Sequence, residues 1–84
     1  MKLAQFVKFR EEKFGGVLFE TRSEKVFTLS ATGAAVVREI AAGAADEAQV
    51  TARLKTRYSD ASASLETDVR EFLSSLKTQG LLVE

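Results

Sequence analysis

The chain contains no cysteine, histidine, proline or tryptophan. Without cysteine it can form neither disulfide bonds nor thiolate metal sites. Without histidine it lacks the commonest near-neutral acid–base group, and a Ser-His-acid triad within one chain is excluded. Two carboxylate pairs remain, Glu11-Glu12 and Asp46-Glu47, but they fall at predicted turn and helix-start positions, where acids are hydrated or complement the helix dipole. The composition therefore predicts a protein that is not an enzyme and that uses no cofactor or metal.

Long hydrophobic runs are also missing. No apolar stretch approaches the roughly 20 residues that cross a bilayer, and the amino-terminal MKLAQFVKFREEK lacks the uninterrupted apolar core of a secretory signal. The 84 residues are 45% hydrophobic, which is ordinary for a folded protein. We therefore expect a single small domain, residues 1–84, that is soluble and lies in the cytoplasm, where the absence of disulfides fits the reducing conditions.

Charge of one sign is not in excess. The chain has 12 basic and 12 acidic residues. Residues 1–30 carry a net charge of +2, and residues 31–84 carry −2. Neither part has the basic footprint that binding to a phosphate backbone requires.

The first third of the chain alternates as a β-sheet does. The predicted strands are Gln5–Glu11, Val17–Thr21 and Lys25–Leu29. A turn through Lys13–Gly16 and a polar break at Arg22–Glu24 separate them. We expect Phe19, Phe27 and Leu29 to lie in the core.

The remaining residues have a helical period. Ser30 is a good N-cap for a helix that continues through Ala42, and Asp46 with Gln49 forms a capping box for a second helix. A third helix begins at Ser62 or Ser64, after the polar linker Ser59–Ala63, and ends before Gly80. The predicted apolar stripes are Val36, Val37, Ile40 and Ala41 in the first helix, Val50, Leu54 and Tyr58 in the second, and Leu65, Val69, Phe72, Leu73 and Leu76 in the third.

Strands followed by helices indicate an α+β fold, with a three-stranded antiparallel sheet followed by a three-helix bundle. Three strands cannot close into a barrel, so the sheet must have open edges. The hydrophobic tail Leu81–Val83 should fold back onto the helices, whereas the pattern does not decide whether residues 1–9 form a strand or an arm.

Two segments carry a resemblance to a known family. FGGVLFETRSEKVFTLSATGAAVVREI (residues 14–40) contains two apolar strands around a polar hairpin and then a Leu-polar-X-Thr entry into a helix, here Leu29-Ser30-Ala31-Thr32. DVREFLSSLKTQGLL (residues 68–82) is a final helix with a Gly-Leu exit. Together they resemble the PqqD-like family, whose members recognise the precursors of ribosomally made, post-translationally modified peptides. Many relatives have Asn at the position of Ser30, and both residues cap helices.

The resemblance implies a fold like a winged helix-turn-helix and a peptide partner. In such domains the leader segment of the precursor adds as an antiparallel strand to the third strand and lies between that strand and the last helix. The domain then delivers the peptide to a modifying enzyme, often a radical S-adenosylmethionine enzyme. The peptide-binding residues expected here are Lys25, Val26, Phe27, Thr28, Leu29, Glu66, Val69, Arg70, Leu73 and Lys77.

Helical spacing suggests how the last helix would select a peptide. Arg70, Leu73 and Lys77 lie along one strip, beside the apolar stripe. One apolar residue between two cations suits a leader with alternating acidic and apolar side chains. The simpler interpretation, that Arg70 and Lys77 are ordinary solvated helix residues, stays open.

A winged-helix DNA-binding protein is the main alternative. Its recognition helix would span residues 64–79, in which Glu66, Asp68 and Glu71 outnumber the two cations. An acidic helix is poorly suited to a polyanion. The basic residues Arg53, Lys55 and Arg57 are spaced by two, which spreads them around the second helix.

Self-association through the open edge is a second alternative, and it is compatible with peptide binding. Lys25 at this edge is of the type that discourages self-pairing. The open edge nevertheless permits a homodimer.

Overall fold

A computed structural model describes residues 1–57 and 64–83. In chain order the elements are β1 (Lys2–Leu3), β2 (Val7–Glu12), β3 (Gly15–Glu20), β4 (Lys25–Leu29), α1 (Ala31–Ala41), α2 (Glu47–Arg57), α3 (Leu65–Thr78) and β5 (Leu82–Val83). The predicted α+β order, three antiparallel strands and then three helices, is confirmed. The predicted linker Ser59–Ala63, and Tyr58 before it, lie outside the described residues.

The main sheet has the strand order β2-β3-β4, and both strand pairs are antiparallel. A two-residue loop, Lys13–Phe14, joins β2 to β3, because Glu12 already pairs with Gly15. The predicted turn through Gly16 was therefore too long, and the predicted second strand began two residues late. The third predicted strand, Lys25–Leu29, has the bounds of β4.

The face of β3 that packs on the helices was predicted wrongly. Leu18 is fully buried, whereas Phe19 is 36% exposed and pairs with Lys8 and Val26 on the opposite face of the sheet. The pattern is ambiguous because Val17, Leu18 and Phe19 are all apolar. The face that contains Leu18 and the face that contains Val17 and Phe19 could each be the buried one. Pairing decides it, since Leu18 lies across from Phe9 and Phe27 on the helical side.

Caps fix the start of α1 and α2. The Ser30 hydroxyl accepts a hydrogen bond from the Gly33 N–H at 3.1 Å, as the sequence predicts. Asp46 accepts the Gln49 N–H at 2.9 Å, while the Gln49 side chain accepts the N–H of Ala45 rather than that of the cap residue. These bonds satisfy amides that have no partner within their helices.

A continuous core joins the sheet to the three helices. It contains Val36, Val37 and Ile40 of α1, Val50 and Leu54 of α2, and Leu65, Val69, Leu73 and Leu76 of α3. Ala41, predicted to belong to the stripe of α1, is exposed, because the helix ends there. Phe72 is only partly buried at the edge of this core.

The two ends of the chain form a second, two-stranded sheet. Lys2 and Leu3 of β1 pair with Val83 and Leu82 of β5. The hydrophobic tail is packed, as predicted, since Leu81 and Leu82 are buried. The tail pairs with β1, at the beginning of the chain. The sequence pattern had not decided whether residues 1–9 form a strand or an arm. Within the described residues, no helix is long and apolar enough to traverse a bilayer.

Candidate functional site: the free edge of β4

β4 lies at the edge of its sheet. Among the described residues it pairs with β3 and with no other strand. No bulge interrupts the register, which runs from Gly16 opposite Leu29 to Glu20 opposite Lys25. One side of β4 is therefore available to a further strand, which is the condition that strand addition needs.

The alternation of backbone hydrogen bonds along β3 identifies which backbone groups of β4 face outward. The Thr21 N–H donates to the Phe6 carbonyl at 2.8 Å, so Thr21 points toward β2. Since antiparallel residues alternate in the direction of their backbone groups, Leu18 and its neighbours at positions 16 and 20 point toward β4. Their partners Lys25, Phe27 and Leu29 are thus paired internally, leaving Val26 and Thr28 to present their groups at the free edge.

The position of the Leu29 carbonyl independently supports this assignment of inward and outward backbone groups. Its carbonyl oxygen lies so close to Gly15 that a β-carbon on Gly15 would collide with it. That oxygen therefore points toward β3 and away from the free edge. Only two of the five residues expected to offer backbone groups, Val26 and Thr28, do so.

Side chains of β4 divide between the two faces of the sheet. Phe27 is half-buried and Leu29 is buried on the helical side. Val26 and Thr28 lie on the opposite face, where Val26 is 61% exposed. Lys25 is exposed at the start of the strand, on the same side as Phe27. The Leu29 side chain is too buried to contact a peptide directly.

Phe72 marks the side of α3 that lies nearest to the end of β4. A β-carbon added to Gly33 would lie 3.2 Å from Cε1 of Phe72, so the ring sits against the first turn of α1. That turn begins at Ser30, directly after β4. Helical spacing places Asp68 and Ser75, both exposed, on the same side as Phe72. This side of α3 carries acid and hydroxyl groups, a feature that the sequence analysis missed.

The expected cationic strip lies on another side of α3. Arg70 is 3.4 Å from a carboxylate oxygen of Glu47, and the Lys55 ammonium is 2.6 Å from Glu66, so Arg70 and Glu66 face α2. The hydrogen bond from Lys55 holds the pKa of Glu66 below its ordinary value. Lys77 lines a depression that also includes Arg70 and Glu47.

Two residues of the expected site are core residues. Val69 is fully buried, and Leu73 is only 3% exposed. Leu73 nevertheless lines the same depression as Arg70 and Lys77, so its contact with a leader stays a prediction. Position 73 was placed on the surface from helical spacing alone, which does not reveal how far α1 and α2 wrap around α3.

Hydrogen bonds to the Glu20 carboxylate stabilise the loop that leads into β4. Glu20 accepts hydrogen bonds from the Ser23 hydroxyl at 2.6 Å and from the N–H groups of Ser23 and Arg22 at 2.9 and 3.0 Å. These bonds, the hydroxyl bond above all, lower the pKa of Glu20 to about 2. Glu24, the last loop residue, has a positive φ of 62°. The ionised carboxylate thus holds the turn in the shape from which β4 starts.

We expect the stability that Glu20 contributes to depend on pH. Its pKa is lower in the folded chain than the ordinary value of 4.5, so the contribution is present above pH 4.5 and is lost as pH falls toward about 2. Urea unfolding of wild type and Glu20→Gln over this range measures it. The wild type should be the more stable at neutral pH, and the difference should shrink in acid. A difference that does not change with pH would contradict this role.

The basic residues of α2 are paired with acids. Arg53 and Arg57 both approach the buried carboxylate of Glu39, at 3.9 and 3.4 Å, while Lys55 binds Glu66 on another side. Arg53 and Arg57 therefore share one face of α2, where dispersal around the helix was predicted, and Lys55 alone of the three points to another side. No feature of the described residues favours DNA binding, and they contain no cluster of acids that could hold a metal ion.

Comparisons with known proteins found a matching family model and solved structures of similar fold. The family model described as "Coenzyme PQQ synthesis protein D (PqqD)" matches residues 15–82. A solved structure, "TbiB1 in Complex with the TbiA(beta) Leader Peptide", is 24% identical with a TM-score of 0.81 and covers 98% of this chain and 94% of its own. Another, "Lasso peptide synthetase B1 complexed with the leader peptide", is 25% identical with a TM-score of 0.78, covering 99% and 96%. No curated protein matches.

Proposed function

Because this chain belongs to the PqqD family, we propose that it is a non-catalytic module that captures the leader of a ribosomally made precursor peptide by strand addition to β4. The observation that carries the proposal is the free edge of β4, with the backbone groups of Val26 and Thr28 directed outward. The fold is that of leader-peptide-binding proteins, and the two solved neighbours hold such peptides.

Backbone bonds alone supply limited affinity. An antiparallel leader strand would exchange two hydrogen bonds with each of Val26 and Thr28. At about 0.5–1.5 kcal/mol net for each bond, these contribute about 2–6 kcal/mol before the entropic cost of ordering the peptide. A dissociation constant of about 1 μM corresponds to about 8 kcal/mol. Side-chain contacts must therefore supply the difference and all of the selectivity.

Strand alternation assigns those contacts. The leader residue opposite Phe27 would point to the helical side of the sheet, where the exposed parts of Phe27 and Phe72 offer apolar surface. Leader residues opposite Val26 and Thr28 would point to the other face, beside Val26 and Phe19. An apolar leader residue opposite Phe27 is the strongest requirement that this geometry sets.

Charge on α3 gives a second requirement, which differs from the alternating acidic and apolar leader expected from the sequence. Asp68 lies on the side of Phe72, whereas Arg70 contacts Glu47 on the side of α2. The geometry favours a basic or neutral leader side chain facing α3 over an acidic one. That Glu66, Arg70 and Lys77 contact the leader stays a prediction, and charge substitution separates the two sides.

Calorimetric titration of leader variants with Lys or Glu at the residue nearest α3 tests the side of α3 that is used. On the wild type the Glu variant should bind more weakly, by up to about fivefold, since an exposed ion pair contributes up to about 1 kcal/mol. Asp68→Asn should abolish this difference, and Arg70→Glu with Lys77→Glu should not. If only the double variant alters it, the cationic strip reads the leader.

We propose that the leader is delivered to a modifying enzyme, which in domains that resemble this one is often a radical S-adenosylmethionine enzyme. The chain itself lacks histidine and cysteine, so the chemistry would belong to that partner. Catalysis is not among the functions that we propose for this chain.

Amide hydrogen exchange of labelled protein tests strand addition directly. In the free protein the Val26 and Thr28 amides should exchange rapidly, while those of Phe27 and Leu29 should be protected by their bonds to β3. Adding the leader of the precursor encoded with this chain should protect the two outward amides. Chemical shift changes should concentrate at residues 25–29 and in α3, within residues 66–77.

Two results would count against this proposal. Protection confined to residues away from β4 would mean that the leader binds elsewhere. A salt-sensitive gel shift with random duplex DNA, without any effect of the leader, would favour the DNA-binding alternative.

A further inference from the structure

The free edge of β4 is complementary to itself. A second copy running antiparallel can place its Thr28 opposite Val26 and its Val26 opposite Thr28, because both residues direct their backbone groups outward. Phe27 then lies opposite Phe27 of the second copy, on the two-fold axis. All the outward groups of both β4 strands are paired in this register, and no bulge or proline in either strand prevents it.

Other registers use fewer of these groups. Centring the axis on Val26 would place Thr28 opposite Glu24, which has a positive φ of 62° and lies outside the strand. Centring it on Thr28 would place Val26 opposite Ser30, which caps α1. The register centred on Phe27 is therefore the one in which both outward residues find strand partners.

The side chains also match in this register. On the outer face, Val26, which is 61% exposed, would gain Thr28 of the second copy beside its own neighbour Phe19. On the helical side, the two Phe27 rings would meet as a pair across the axis. Lys25 would lie opposite Leu29 of the second copy, so its charge meets no like charge. The edge lysine, which discourages many self-pairings, does not oppose this one.

We propose that two copies of this chain pair through β4 in the register centred on Phe27, and that this pairing competes with the leader for the same edge. The competition, unlike the pairing itself, rests on the proposed function. Since the contact is confined to two strand edges, the dimer should be weak and reversible. Leader binding would then release monomers from the paired state.

Sedimentation equilibrium across a concentration series, up to about 1 mM, measures the pairing. The average mass of the wild type should rise from 9.2 kDa toward twice that value. Thr28→Pro removes an outward N–H that the fold does not use, and should stay monomeric while its circular dichroism matches the wild type. Thr28→Val keeps that N–H and should still dimerise.

The register has its own spectroscopic signature. Residues opposite each other without mutual hydrogen bonds have Cα atoms about 4.5 Å apart, so the two Phe27 α-protons would be in close contact. A mixed sample of labelled and unlabelled protein should show this contact between copies. Wild type that remains at 9.2 kDa would overturn the inference, as would a dimer that lacks the Phe27 contact or that persists in Thr28→Pro.

Adding the leader separates this inference from the proposed function. A leader that protects Val26 and Thr28 and returns the mass to that of a one-to-one complex supports both. A leader that binds without dissociating the dimer overturns the shared edge. A leader that does not bind, beside a dimer with the Phe27 contact, defeats the proposed function and leaves the pairing established.

Discussion

Thr28→Pro is expected to remove leader binding while leaving the chain folded. The Thr28 N–H points away from β3, so no hydrogen bond of the sheet is lost. Proline is tolerated at such edge positions. The substitution does remove one bond to the leader, and its ring occupies the space where the leader backbone would lie. We expect affinity to fall by about 30-fold or more, which corresponds to about 2 kcal/mol.

The control uses the same chemistry one residue earlier. The Phe27 N–H is bonded to β3, so proline at position 27 should disrupt the sheet. Comparing Phe27→Pro with Phe27→Ala isolates this backbone effect from the loss of the ring. Calorimetric titration measures the affinity, and thermal unfolding measures the fold. Unchanged leader affinity in a folded Thr28→Pro protein would rule out strand addition at β4.

Gly15→Ala is expected to have the largest effect on stability. Gly15 has φ of 149°, a conformation that residues with a β-carbon rarely adopt. An added β-carbon would also lie 2.6 Å from the carbonyl carbon of Ser30 and would collide with the Leu29 carbonyl oxygen. Both are backbone atoms at the junction of β4 and α1, so neither can move alone. We expect a loss of about 3 kcal/mol or more in the free energy of unfolding.

Gly43→Ala is the matched control. Gly43 also has a positive φ, of 103°, but a β-carbon there would meet nothing within 4 Å. It should lose only about 1 kcal/mol, through backbone strain. For a domain of this size, 1 kcal/mol corresponds to about 4–8 °C in Tm, so the two variants are readily separated. Equal losses in Tm would show that φ, and not the close approach to β4, makes Gly15 necessary.

Local signals in the sequence were sufficient for most of the secondary structure. Ser30 predicted the start of α1, and Asp46 with Gln49 predicted the start of α2, because caps act within a few residues of chain. The bounds of β4 also followed from its alternation between polar flanks. The absence of histidine and cysteine limited the chemistry without any knowledge of the fold.

Which face of an element is buried was less accessible. Leu18 and Phe19 are adjacent apolar residues, and only pairing with β2 and β4 determines that Leu18 enters the core. Leu73 was expected at the surface because the width of the buried face of α3 depends on α1 and α2. The strand that pairs Lys2–Leu3 with Leu82–Val83 joins the two ends of the chain, and no local pattern contains that information.

The sequence by itself determined an α+β chain with a capped three-helix segment, a candidate edge strand at Lys25–Leu29 and a resemblance that pointed to peptide binding. Only the tertiary structure decided that Val26 and Thr28 are the residues whose backbone faces outward, and that α3 places Phe72 against the first turn of α1 and Arg70 beside Glu47 of α2. The physical reason is the sequence distance over which each interaction acts. Helix caps and strand alternation depend on near neighbours in the chain. The direction of backbone groups in a strand and the rotation of a helix are set by contacts between residues far apart in the chain.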